Sequence, residues 1–103
     1  MSSNPLFQMT IEDVFSIRGR GTVVTGTIER GSVRVGDVLE LRGTYDAREV
    51  VVSAVERFRK KVEQASAGDF VGILFKDITG EDVFRGDELV GIMWSLGESP
   101  FTR

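Results

Sequence analysis

Three kinds of residue in this chain could do chemistry: glycines at phosphate-loop spacing, cations clustered around an aromatic ring, and neighbouring carboxylates. Gly21-Thr22-Val23-Val24-Thr25-Gly26 has the G-x-x-x-x-G spacing of a nucleotide-binding loop, but Thr27-Ile28 follow where that chemistry needs Lys and then Ser or Thr. No Lys would reach the phosphates and no helix pattern follows whose first amides could hold them, so the glycines read as turn-formers and no GTP binding by this chain is expected. Gly19-x-Gly21 followed by Val24 likewise fails the dinucleotide fingerprint. Glu12-Asp13, Glu81-Asp82 and Asp87-Glu88 are adjacent pairs, and neighbours in a strand point to opposite faces, so they support neither acid–base catalysis nor a metal cage. Arg85-Gly86-Asp87 spells an adhesion tripeptide and reads as a turn.

Arg57-Phe58-Arg59-Lys60-Lys61 is the one basic run, and with Arg18 and Arg20 it supplies most of the local positive surface, a candidate basic patch. An aromatic inside such a run can stack on a base while the cations meet phosphate. Phe58 can equally be a core residue flanked by solvated charges at a strand end.

Composition narrows the function classes further. The 103 residues include no Cys and no His, which removes disulfides, the common zinc sites, Cys nucleophiles and imidazole bases together. A non-enzymatic chain with no cofactor and no metal is expected. Thirteen Lys and Arg against 16 Asp and Glu give a net charge of −3, so the field of the whole molecule would not draw it onto RNA or an anionic membrane, and any nucleic-acid contact must be local. The first residues carry no basic leader with a long apolar stretch, which predicts a cytoplasmic protein without membrane attachment.

The elements that must position these residues read as all-β. One domain spans 1–103, with a barrel over about 7–94 and a tail from 95 to 103. Twelve glycines break the chain into short segments, and both prolines, Pro5 and Pro100, lie near the ends. From Phe7 to Ile17 the odd positions are apolar except Asp13, predicting one strand with a buried face, on which Asp13 sits at a barrel mouth or is recruited for binding. Arg18-Gly19-Arg20-Gly21 turns the chain into a second strand, Thr22 to Glu29. Gly36-Asp37, Gly68-Asp69 and Gly86-Asp87 each precede an apolar strand start, a repeated turn-then-strand signal that favours a barrel or sandwich. Between Asp46 and Ala67 the apolar spacing fits a helix as well as a strand, and the β-branched run Val50-Val51-Val52 favours a strand over Arg48 to Phe58. Strand alternation then turns Phe58 inward, and 59–67 reads as an irregular loop. Phe70 to Lys76 and Glu88 to Trp94 complete the set.

The stretch IEDVFSIRGRGTVVTGTIERGSVRVGDVLEL closely resembles the second domain of elongation factor Tu and its translational GTPase relatives. The likeness continues through Val55-Glu56-Arg57-Phe58-Arg59-Lys60, Ala67-Gly68-Asp69 and Arg85-Gly86-Asp87-Glu88-Leu89, so it covers about 7–91. The resemblance implies a closed six-stranded Greek-key β-barrel of the translation-factor domain II type, here without the family's GTPase and third domains. It implies a translation-associated module that binds RNA, either a tRNA 3′ end or the ribosome. By the same resemblance, Ile17, Gly19, Val23, Glu56 and Leu74 form a slot for the terminal adenosine, Arg59 contacts the aminoacyl ester, and Asp13 and Phe15 face the amino acid. Phe70 stands where that family carries an Asn that grips the aminoacyl group. An alternative reading is a protein-interaction barrel that docks a partner such as a separate translation GTPase.

Overall fold

The computed structural model describes residues 7–44 and 46–91. Ten short strands run through them: β1 Gln8–Thr10, β2 Asp13–Ile17, β3 Gly21–Arg30, β4 Ser32–Arg34, β5 Val38–Arg42, β6 Ala47–Arg57, β7 Lys60–Val62, β8 Gln64–Ser66, β9 Phe70–Phe75 and β10 Glu88–Gly91. Six of them close a ring of antiparallel pairs, β1-β10-β5-β6-β9-β3 and back to β1. The fold is therefore a closed six-stranded Greek-key barrel, in which ring order departs from chain order where β3 pairs with β9 and β10 with β5.

Alternation along each strand fills the interior. Met9, Val24, Ile28, Leu39, Val50, Val55, Ile73, Phe75 and Leu89 are fully buried. The ribbon of β4 and β8 buries Val33 and Ala65 in the same core. At 78–83, Ile78 and Val83 are buried too, and the Ile78 carbonyl accepts a 3.0 Å hydrogen bond from the buried Thr22 hydroxyl.

The three Gly-Asp signals are three copies of one turn. Gly36, Gly68 and Gly86 have φ of 95°, 95° and 91°. Asp37, Asp69 and Asp87 each accept a hydrogen bond at Oδ2 from the backbone N–H three residues earlier, at 2.8, 3.0 and 2.9 Å. Each Asp N–H in turn donates to the carbonyl of that same residue, at 3.1, 3.0 and 3.0 Å. Gly supplies the left-handed third position of a type II turn and Asp closes it. Arg85-Gly86-Asp87 is one of these turns.

Three expectations change. The strand expected from Phe7 to Ile17 is two strands broken at Ile11-Glu12, where Ile11 and Glu12 donate N–H groups to Asp87 and Thr25 carbonyls. Past that break the alternation inverts, so Phe7, Met9 and Ile11 are buried whereas Phe15 and Ile17 face solvent. The 48–58 strand exists, but a β-bulge between Val52 and Ala54 shifts its phase. Val50, Val52 and Val55 point in, Ala54 does not, and Phe58, expected inward, is 84% exposed. The expected loop 59–67 contains β7 and β8. Trp94 and the proposed tail lie outside the described residues.

Candidate functional site

The sheet β2-β3-β9-β6 carries the site on its outer face. Its registers pair Phe15 with Val23, Val23 with Leu74, and Leu74 with Ala54. One step along, Asp13 pairs with Thr25, Thr25 with Gly72, and Gly72 with Glu56. These two rows frame a pocket of about 140 Å³, with Phe15, Ile17, Val23 and Leu74 as apolar walls and Glu56 and Arg20 as its charged rim. That is well under the roughly 300 Å³ at which pockets for drug-sized ligands begin, so it takes a single ring system. Gly72 keeps it open: a Cβ there would lie 3.3 Å from Val23 Cγ1 and 3.8 Å from Thr25 Cγ2.

Six of the residues named from sequence thus meet in one place: Phe15, Ile17, Arg20, Val23, Glu56 and Leu74. Gly19 sits in the β2–β3 turn with φ 77° and lines an open groove that shares Ile17 and Arg20 with the pocket. Asp13 is engaged by Arg85 Nη2 at 2.9 Å, in an ion pair exposed on both sides. Arg59 is at the tip of the β6–β7 hairpin, where Phe58 and Arg59 have φ of 54° and 66°. Two consecutive left-handed residues between strands define a type I′ turn, a geometry that normally selects Asn and Gly.

The cations named as one basic patch fall at two ends of this face. Arg18 and Arg20 belong to the turn entering β3 at Gly21, whereas Arg57 lies one step past Glu56, on the level of Val71 and Gly26. Five residue steps of β3 separate the levels, roughly 17 Å at strand rise. Among the described residues, Arg59, Lys60 and Lys61 make no ion pair, while Arg57 Nη1 lies 3.3 Å from Asp69 Oδ2. The pocket, with a basic tip at either end, can hold a flat ring against apolar walls and present a carboxylate acceptor and cations to its polar edges.

Ala54 and Gly72 were not recognisable as lining residues from sequence. Ala54 reaches the outer face only through the bulge, and Gly72 matters only through its cross-strand neighbours. Among the described residues no helix is long and apolar enough to cross a membrane, and no group of three or more carboxylates could hold a metal ion.

The family model for elongation factor Tu domain 2 matches residues 21–90, from the start of β3 into β10, and so takes in β3, β6 and β9 of the pocket. With the closed six-stranded barrel already established, that match identifies the chain as a member of the elongation factor Tu domain 2 family, a β-barrel module of the translation-factor type.

Proposed function

We propose that this barrel is a non-catalytic module that binds the 3′ end of an RNA, with the terminal nucleoside in the Ile17–Leu74 pocket. The observation that carries the reading is the pocket itself: apolar walls from three strands enclose space for one ring, with Glu56 at the rim to accept from a nucleoside donor. Arg59 supplies a fixed fork of donors for ester or phosphate oxygens. Phe70 cannot form the hydrogen bond that the resemblance assigns to an Asn at its position, so the terminal nucleoside, more than an attached amino acid, is the recognised group.

Fluorescence anisotropy with a labelled single-stranded RNA ending in CCA tests this. Binding that weakens with salt and with Arg59→Ala supports it. A complete lack of binding at millimolar protein overturns it. A protein-docking role has its own supporting observation in Phe84, which is 64% exposed in a separate recess with Asp46, Arg48 and Glu81. Pull-down of a separate GTPase without RNA, lost on Phe84→Ser, would favour that second reading.

A further inference from the structure

Beyond the pocket, the same face ends in two exposed aromatic rings. Glu56 and Gly72 are register partners. Two residues after Glu56 the chain reaches Phe58, and two residues before Gly72 β9 begins with Phe70. Both phenylalanines therefore stand at the same end of the β6–β9 ladder, 84% and 56% exposed. Solvent exposure of a large aromatic is unfavourable, and here it is enforced by a backbone that costs of order 1 kcal/mol or more at each non-glycine left-handed residue. Arg57 adds to the presentation, its guanidinium carbon lying 5.5 Å from the centroid of the Phe58 ring. The next three residues, Arg59, Lys60 and Lys61, are exposed cations with no ion pair among the described residues, in a chain of net charge −3.

We infer that Phe58 and Phe70 form a second nucleobase platform, on which the nucleotide preceding the one in the pocket stacks while Arg59, Lys60 and Lys61 hold its phosphate. The inference rests on the proposed RNA-binding reading of the pocket and deepens it. Strand rise puts Phe70 about 7 Å beyond Gly72, the register partner of Glu56, with the Phe58 turn at that same end, a spacing that a neighbouring nucleotide can span. An aromatic ring offers a sequence-tolerant stacking surface, and neighbouring cations neutralise phosphate. An acidic peptide would satisfy the cations but would leave two flat rings with nothing flat to meet.

The test compares adenosine 5′-monophosphate, which reaches only the pocket, with the single-stranded RNA ACCA, which reaches both. NMR titrations use the full chain, Phe58→Asn, Phe70→Thr and Phe58→Trp. Asn is at home in a type I′ turn, so Phe58→Asn removes the ring without threatening the hairpin. Stacking energies measured by removal of one aromatic correspond to about a 5- to 150-fold change in affinity. The wild type should bind ACCA at least about five-fold more tightly than the mononucleotide. Phe58→Asn should remove most of that advantage, Phe70→Thr should reduce it, and Phe58→Trp should keep it, all with mononucleotide affinity unchanged.

Equal affinity for both probes, indifferent to Phe58→Asn, overturns the platform and leaves the pocket reading intact. Phe58-dependent ACCA binding with no mononucleotide binding supports the platform and removes the pocket. Binding of neither RNA probe overturns both. A poly-glutamate peptide that binds through Phe58 while RNA does not would replace the nucleic-acid reading with a protein one.

Discussion

Arg57 and Asp69 join the base of the β6–β7 hairpin to the turn that starts β9. The guanidinium Nη1 lies 3.3 Å from Asp69 Oδ2, the same oxygen that accepts the Ser66 N–H at 3.0 Å. One carboxylate thus closes its own turn and anchors the hairpin that presents Phe58. The two functions predict unequal variants. Arg57→Ala removes an ion pair exposed by 41% and 27% on its two sides and should cost no more than about 1 kcal/mol. Asp69→Ala also opens the turn and should cost about 1 kcal/mol beyond that. Urea denaturation of the two variants gives the ranking, and equal losses would mean that the turn hydrogen bond contributes nothing.

Gly26 is predicted to be intolerant of any side chain. A Cβ at this position would collide with the carbonyl oxygen of Thr10 and crowd the Met9 side chain, at the point where β1 closes onto β3. Backbone cannot yield as a side chain can, so Gly26→Ala should lose about 2–3 kcal/mol. At Gly72 the neighbours are methyl groups of Val23 and Thr25, and Gly72→Ala should fold with a loss below about 1.5 kcal/mol while filling the pocket. Thermal unfolding and the mononucleotide titration together separate the two glycines.

The type I′ turn predicts a conflict between stability and binding. Replacing Phe58-Arg59, with φ of 54° and 66°, by Asn-Gly relieves two left-handed residues and should stabilise the fold by about 1–2 kcal/mol. The same double variant removes both the exposed ring and the Arg fork. Higher melting temperature with weaker RNA binding is the expected pair of results. A drop in melting temperature would show that the Phe58 ring is held by contacts worth more than the strain.

Among the described residues, Asp82 carries the one predicted acid-range signature. The Thr79 backbone N–H, donating to Oδ2 at 2.8 Å, holds the carboxyl below its ordinary value of 3.8. Partial desolvation opposes this, and the Thr79 hydroxyl and the Arg48 guanidinium, whose Nη1 is 3.6 Å away, assist it. A depressed folded-state pKa stabilises the fold above the unfolded value near 3.8, and the contribution disappears as pH falls through the folded value. Asp82→Asn should therefore be less stable than wild type at pH 7 and converge with it as pH falls below 3.8 and through the lower folded-state value. Melting curves across that range decide; parallel curves would sever the link to the carboxylate.

RNA affinity in the isolated chain should be modest. A stacked base contributes about 1–3 kcal/mol and a charge-assisted hydrogen bond roughly 1.5–3, before ordering costs. Those terms predict a dissociation constant of about 0.1 mM at best for a pocket-and-Arg59 contact alone. The Phe58–Phe70 platform raises that ceiling, so submicromolar binding abolished by Phe58→Asn fits two contact surfaces, and submicromolar binding indifferent to it fits neither. Anisotropy at two salt concentrations measures both the affinity and the phosphate contribution.

Much of the barrel could be read directly from residue order. The β2–β3 hairpin followed from paired glycines between β-branched runs, and the three Gly-Asp turns from a repeated dipeptide whose chemistry is local. Likeness to a family singles out Ile17, Val23, Glu56 and Leu74, and all four line one pocket. What escaped was phase. The break at Ile11-Glu12 and the bulge near Ser53 each invert inside and outside, and both are set by partners on other strands. Phe15, Ile17 and Phe58 were consequently assigned inward by an alternation that ignores such interruptions. Apolar residues on an outer face look, in one dimension, like core.

Ring closure places the ends of the barrel where they do least harm. Gln8 of β1 and Val90 of β10 are register partners, and the Gly91 N–H donates to the Phe7 carbonyl beside them at 3.0 Å, so the first and last described strands lie side by side. In the ring of six, β1 stands opposite β6 and β10 opposite β9, the two strands that carry Glu56, Gly72 and Leu74. The chain therefore enters β1 and leaves β10 on the wall behind the pocket. With those two strand ends adjacent, the described barrel suits insertion between other domains, or circular permutation by a link from β10 to β1.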